Sequence, residues 1–236
     1  MYLLRPANQR GHTVTDWLDS YHTFSFGQYF DPQFMRFSDL RVINDDVVAP
    51  GRGFDSHPHE NMEIITIPLS GELQHQDSMG NGSVIKPGDI QKMSAGTGII
   101  HSEMNASSSA PVHFLQIWIE PDMQDIKPGY QQKSYPKNVL TDQLKLIVSP
   151  DGREDSLIIQ QDAEMYQCLL NAGKEVTFNV DDKRKVWIQV AAGDIAVNDR
   201  PLVAGDGLAI ADENAVVTIR GIDAQSNFIV FNLKIR

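Results

Sequence analysis

Residues 62–94 read MEIITIPLSGELQHQDSMGNGSVIKPGDIQKMS, and this stretch decides the fold. Short apolar runs rich in Ile, Val and Leu alternate within it with Gly-containing turns at 70–71, 79–82 and 86–89. Runs of about four to eight residues between such turns are typical of an all-β sandwich or barrel. Similar runs follow, as in VHFLQIWI at 112–119, whereas convincing helical periodicity is scarce. The sequence therefore predicts an all-β chain.

The same rhythm of strands and turns repeats in the second half of the chain. SGE and PGDI in the first half have counterparts in AGDI and AGDG in the second half. This match of turn residues favours an internal duplication, with two β-barrels in tandem. The segment PDMQDIKPGYQQKSYP is polar, rich in Pro and Gly, and fits neither the helical nor the strand period. We therefore predict a first barrel over 1–120, a connector over 121–136 and a second barrel over 137–236.

Composition and charge exclude several classes of function. Twenty basic and 31 acidic residues give a net charge of −11, which repels phosphate backbones and anionic lipid heads. No apolar run approaches the roughly 18 to 20 residues that span a bilayer. A single cysteine, Cys168, cannot form an internal disulfide, and we interpret it as a buried strand residue without a catalytic role. The sequence predicts a cytoplasmic protein that binds neither nucleic acid nor membranes directly.

Histidine is confined to the first half of the chain, since the last of the seven is His113. The triplets HPH at 57–59 and HSE at 101–103 stand out because residues i and i+2 of a strand lie on one face. Enough turns separate the triplets to bring them onto neighbouring strands of one barrel. His57, His59, His101 and Glu103 would then converge on one divalent ion, and this mixed N/O set suits Fe(II), Mn, Ni, Co or Cu(II) better than a closed zinc site.

The remaining histidines give weaker signals. His75 and His113 each stand alone, which favours a packing or surface position over a ligand role. His22 alternates with aromatic residues, as at the edge of a sheet, and His12 gives no interpretable pattern.

Five segments carry a resemblance to a known family. HPHENME and the pair PGD and GTGIIHSEMN resemble the two cupin motifs, and their form is similar to that of the pirin family. SYHTFSFGQYFDP and LRVINDD resemble the opening segment of that family, in particular of its bacterial members with quercetin 2,3-dioxygenase activity. The resemblance implies two tandem cupin barrels (double-stranded β-helix, jelly-roll) with one metal per chain, in the first barrel only. It places the ligands at His57, His59, His101 and Glu103.

The choice of carboxylate stays open at this stage. In many cupins the carboxylate ligand comes from the first motif, at the position of Glu63, which shares the strand parity of the HPH histidines, so that the spacing alone permits it. Pirin-like sites use the HSE carboxylate, which favours Glu103 as the ligand and leaves Glu63 as a partner of the ligands or a core carboxylate near the site. Either carboxylate is a candidate catalytic base.

The resemblance implies a dioxygenase that opens the heterocycle of flavonols such as quercetin with O₂ and releases CO. Its partners are then a small aromatic substrate and O₂, and its metal is in the first place Fe(II), with Mn, Ni, Co, Cu or Zn as alternatives. Eukaryotic members resemble iron-dependent transcriptional cofactors. The alternative is therefore a redox-sensing regulatory protein that acts through protein partners.

Overall fold

The computed structural model describes residues 1–235, which form 22 β-strands and little helix. The helical elements are one α-helix, Lys137–Leu140, and two 3-10 turns, Ala7–Gln9 and Arg153–Asp155. None of the helices in residues 1–235 is long and apolar enough to cross a membrane. The prediction of an all-β chain is confirmed.

The first twelve strands extend to residue 134. They are β1 Tyr2–Arg5, β2 Gly11–Val14, β3 Leu18–His22, β4 Leu40–Val48, β5 Gly53–His59, β6 Glu63–Ser70, β7 Leu73–Asp77, β8 Gly82–Ile85, β9 Asp89–Ser94, β10 Ile99–Asn105, β11 Val112–Ile119 and β12 Gly129–Ser134. The last ten strands follow the helix. They are β13 Lys145–Ser149, β14 Leu157–Ile158, β15 Ala163–Asn171, β16 Glu175–Val180, β17 Arg184–Ala192, β18 Ile195–Val197, β19 Arg200–Leu202, β20 Gly207–Ile210, β21 Ala215–Gly221 and β22 Gln225–Lys234.

Each barrel consists of one seven-stranded and one four-stranded sheet. In the first barrel the orders are β12-β9-β6-β11-β4-β3-β2 and β5-β10-β7-β8. In the second they are β1-β20-β17-β22-β15-β13-β14 and β16-β21-β18-β19. Strands β4 to β11 of the first barrel correspond to strands β15 to β22 of the second. Corresponding strands, such as β4 and β15, have the same position in their sheets. This correspondence supports the predicted duplication and the two tandem cupin barrels.

Two segments differ from their predicted places. Strand β1 pairs antiparallel with β20, so residues 2–5 complete a sheet of the second barrel. Strand β12 pairs with β9, so residues 129–134 are an edge strand of the first barrel and not part of a connector. An edge strand has hydrogen bonds on one side and exposed polar side chains. The sequence of β12, GYQQKS, therefore lacks the alternation of apolar and polar residues that would predict a strand.

The two large sheets share the largest apolar core. On β6, Ile65 and Ile67 pack in one cluster with Ile229 and Phe231 of β22, so this face of the first barrel lies against the second. Alternate β6 side chains face the other way, and Thr66 lines the interior of the first barrel. Within the second barrel, strands β15 to β22 contribute side chains to a separate buried apolar cluster. In the first barrel, His75 and Glu103 line the interior together with Thr66, and this polar interior could hold a ligand.

Trp187 joins the two barrels. It is 1% exposed, and its ring lies 5.0 Å from that of Phe24 and 5.5 Å from that of Phe37. We expect Trp187→Ala to lower the free energy of unfolding by about 3–5 kcal/mol, because it opens a cavity between the barrels. Urea unfolding measures the loss. Val203→Ala, at a half-exposed loop position, should change stability by less than about 0.5 kcal/mol. Equal small losses would contradict this role for Trp187.

Candidate metal centre

Three predicted histidines meet where β5 pairs with β10. His101 stands opposite His57 in the antiparallel register, and Ile99 stands opposite His59. The ring centroids are 4.4 Å apart for His57 and His101 and 4.9 Å apart for His59 and His101. One nitrogen of each of the three rings lies within 4.8 Å of the other two. Neighbouring strands thus bring together three of the four residues that the two triplets were expected to direct at one ion.

The chemistry of these rings fits a divalent ion. His101 Nε2 is buried and has no hydrogen-bond partner among residues 1–235. His57 Nδ1 donates to the Asp55 carbonyl at 2.7 Å, which leaves Nε2 as a ligand atom. Burial, with smaller contributions from neighbouring histidines, lowers the pKa of His59 to about 4 and that of His101 to about 2. Near neutral pH these two rings are therefore uncharged, which is the metal-binding form.

Glu103 lies beside this group but outside its compact core. A register shift against β5 separates His101 from Glu103. The Glu103 carboxylate accepts hydrogen bonds from Gln116 Nε2 at 2.6 Å and from Thr66 Oγ1 at 3.3 Å. One Glu103 carboxylate oxygen and one ring nitrogen each of His101 and His75 lie within 4.8 Å of one another. They form a second cluster, which shares His101 with the first. Burial raises the Glu103 pKa against the opposing effect of Gln116.

Glu63 lies on the far side of its strand from the histidines. Its carboxylate forms a buried ion pair with Lys92 at 2.6 Å and accepts hydrogen bonds from Ser94 Oγ and the Gln160 backbone N–H. Glu63 does not share a strand face with His57 and His59, because a turn with Asn61 at φ 48° separates β5 from β6. The alternation of side chains between the two faces therefore does not continue from one strand to the next. Of the two positions expected for Glu63 with Glu103 as the ligand, the structure fits the core carboxylate and not the partner of the ligands. Glu103 is the carboxylate that groups with His101.

His75 is the residue that sequence reasoning missed. It stands opposite Glu103 on β7, fully buried, with Nδ1 3.4 Å from His101 Nδ1 and Nε2 3.3 Å from Asp77 Oδ2. Burial acts to raise the pKa of Asp77, but hydrogen bonds, chiefly from Asn81, outweigh it and hold that pKa below its usual range. With Asp77 Oδ2 accepting from His75 Nε2–H, His75 Nδ1 is placed to accept from His101 Nδ1–H. His101 then presents an unprotonated Nε2 to the metal position. The spacing of His75 and Asp77, two residues apart on one strand face, was the available signal.

The other histidines and the cysteine take no part in this cluster. His113 and His12 pair with Asp45 and Asp19 near or on the surface. His22 is buried in β3, which pairs on both sides, so the expectation of a sheet edge is wrong. Cys168 is buried in β15, and burial raises its pKa to about 12, so the thiol stays protonated near neutral pH.

A cavity of about 610 Å³ opens in front of the histidines. This size is typical of sites for small organic molecules. Its wall combines apolar and polar side chains of the first barrel, which are Thr13, Thr15, Leu18, Ser20, His22, Phe26, Gly27, Gln28, Asn44, Asp46, Phe54, His57, His59, Glu103, Gln116 and Trp118. Trp118 contacts His59 edge-on at 4.9 Å and Phe26 at 5.5 Å. The candidate ligands thus meet a pocket that can take an aromatic molecule.

Comparison with known proteins shows which sequences and structures the chain resembles. Residues 3–119 match the family model Pirin, and residues 146–233 match the Quercetinase C-terminal cupin domain. The chain is 47% identical to a quercetin 2,3-dioxygenase of Escherichia coli K12 over 233 residues, 99% of both chains. It matches the crystal structure of the E. coli bacterial pirin YhhW in complex with nickel(II) with a TM-score of 0.93 and 46% identity, over 99% of each chain. E. coli YhaK is 28% identical with a TM-score of 0.76, over 92% of this chain and 94% of that one.

The histidine cluster makes a direct prediction about metal content. We expect His57→Ala, His59→Ala and His101→Ala each to lose most of the ion after dialysis against a chelator, because each removes one of three converging imidazoles. Elemental analysis measures the remaining metal. His113→Ala is the matched control and should keep about one equivalent, since its ring pairs with Asp45. Similar losses in all four variants would show that the cluster is not the metal site.

His75 offers a separate test of the hydrogen-bond chain. We expect His75→Phe to weaken metal affinity by about 10- to 100-fold, because His101 loses the partner that fixes its tautomer. Competition with a coloured chelator measures the affinity. Asp77→Asn should show a smaller loss in the same direction. Unchanged affinity in both variants would exclude an orienting role for the chain.

Proposed function

The chain belongs to the pirin family, and we propose that it is a metal-dependent dioxygenase that opens the heterocycle of flavonols such as quercetin. The observation that carries the proposal is the group of three imidazoles, with the partnerless His101 Nε2, at the wall of a large mixed cavity. The quercetin 2,3-dioxygenase name of a relative with 47% identity over nearly the whole chain supports it. The proposed ligands are His57, His59, His101 and Glu103.

The proposed reaction balances without a further reductant. The flavonol heterocycle supplies the four electrons that reduce O₂, both oxygen atoms stay in the ring-opened product, and ring carbon C3 leaves as CO. A bound divalent ion would supply Lewis acidity that favours the ionised 3-hydroxyl and would hold substrate and O₂ close together. Fe(II) is our first choice, and Mn, Ni, Co, Cu and Zn are alternatives, since an N/O donor set accepts all of them.

The residues of the chain have distinct tasks in this proposal. Glu103 is the cavity carboxylate that lies beside His101, so we propose that it accepts the proton of the 3-hydroxyl and is also one of the ligands. Gln116 and Thr66 hold its two oxygens in place. Trp118 and Phe54 offer apolar surface on which the aromatic rings can lie while water is excluded. Glu63 has no part in the chemistry, because its charge is paired with Lys92.

The partners in this proposal are the flavonol and O₂. A cytoplasmic location and the lack of direct nucleic-acid binding stay predictions from composition.

The substitution Glu103→Gln tests the proposal. Metal-loaded wild-type protein should consume O₂ and release CO with quercetin, whereas Glu103→Gln should lose at least about 100-fold in rate, because it removes the proton acceptor. An oxygen electrode measures the O₂ consumed, and headspace analysis measures the CO released. Glu72→Gln, an exposed carboxylate, is the matched control. A wild-type protein that binds metal but consumes no O₂ with any flavonol would contradict the function and favour metal sensing.

A further inference from the structure

The cavity wall carried by β3, β4 and β11 contains polar side chains that the proposed reaction does not use. Gln116, which holds Glu103, stands opposite Asn44 in the register of β11 with β4. Asn44 in turn stands opposite His22 of β3. Side chains directly opposite on antiparallel strands lie on one face of the sheet. A polar row therefore runs from the Glu103 carboxylate across three strands of the cavity wall.

A second polar row lies beside the first. Asp46 stands opposite Ser20, and Ser20 stands opposite Thr13 of β2. All three line the cavity, and Ser20 Oγ donates a hydrogen bond to Asp46 Oδ1. Two residues along a strand separate Asp46 from Asn44, about 7 Å and close to the length of one aromatic ring. The second row is thus offset along the strands from the row that holds Glu103.

Asp46 is an unusual residue for this position. It is 2% exposed, and no Lys or Arg within residues 1–235 forms an ion pair with it. A buried carboxylate without a cation is unfavourable for folding unless hydrogen bonds compensate it. Burial raises the pKa of Asp46 to about 7, against the smaller effect of Ser20. Its neighbour Asp45 faces the other side of the strand, where it pairs with Arg10. The fold itself therefore gives no reason for a carboxylate in the cavity wall.

We propose that Asp46, oriented by Ser20, is a subsite that accepts a hydrogen bond from a phenolic hydroxyl on the ring of the substrate remote from the metal ligands. The ligand class is a polyhydroxylated aromatic molecule. Phe54 and Leu18, which line the same cavity, supply apolar surface for that ring. Asp46 is thereby a specificity-determining residue, and it takes no part in ring opening. The inference rests on the proposed function for the class of ligand, and its test separates the two.

Anaerobic binding to the nickel-loaded protein tests the subsite without turnover. The two probes are quercetin and 3-hydroxyflavone, which shares the 3-hydroxyl of the heterocycle but has no hydroxyl on either benzene ring. We expect wild type to bind quercetin at least about tenfold more tightly, since a hydrogen bond to a charged group is worth about this factor or more. Asp46→Ala should weaken quercetin binding by about 10- to 100-fold and change 3-hydroxyflavone binding by less than about twofold. Asp46→Asn, which keeps the shape, should fall in between.

The controls make each outcome decisive. Asp19→Asn, an exposed carboxylate on β3, should bind both probes as wild type does, and metal content is measured for every variant. Equal affinity of wild type for the two probes overturns the subsite, even if the Asp46 variants do not fold. An equal loss for both probes in Asp46→Ala also overturns it, because the role would then be structural. A quercetin-specific loss in a protein that consumes no O₂ supports the subsite while the dioxygenase proposal fails. Normal O₂ uptake by the wild type, together with unchanged quercetin binding in Asp46→Ala, would overturn the subsite while the dioxygenase proposal stands.

Discussion

The pairing of β5 with β10 is the constraint on which the site depends. Antiparallel register sets His101 opposite His57, and strand alternation brings His59 to the same side. Three imidazoles are thereby fixed by backbone hydrogen bonds and do not rely on loops for their position. The register shift that follows His101 turns the next inward side chain, Glu103, towards Gln116 and the polar row of the opposite sheet. The β5–β10 pair thus connects the candidate metal ligands to the wall of the cavity.

The two barrels share one strand order but have different interiors. The second barrel is filled with apolar side chains such as Phe178, Val217 and Ile219, so its stability comes from close packing. The first barrel buries His75, Glu103 and Asp46 instead, and buried polar groups weaken a core unless they are satisfied. The apolar cluster shared by the two large sheets offsets this loss. We infer that packing against the second barrel stabilises the first barrel, whose interior contains the polar side chains of the candidate metal centre.

Much of this arrangement could be predicted from the sequence, because strand alternation is local. HPH and HSE each place two ligand-type residues on one face, whatever the rest of the fold does. The position of Glu63 could not be predicted in this way, since a single residue with positive φ at Asn61 restarts the count between two strands. His75 was missed because its partners, Asp77 apart, come from β10, and a cross-strand neighbour leaves no trace in sequence spacing. Strand β12 was missed because edge strands need no apolar face.

Anomalous diffraction from crystals of the nickel-loaded protein tests the account most directly. We expect one peak per chain, within coordination distance of a nitrogen of each of His57, His59 and His101, with a Glu103 oxygen as the fourth protein ligand. His101 should bind through Nε2, with Nδ1 still directed at His75. A peak held by His75, His101 and Glu103 without the HPH histidines would contradict the account. A peak in the second barrel would contradict it as well.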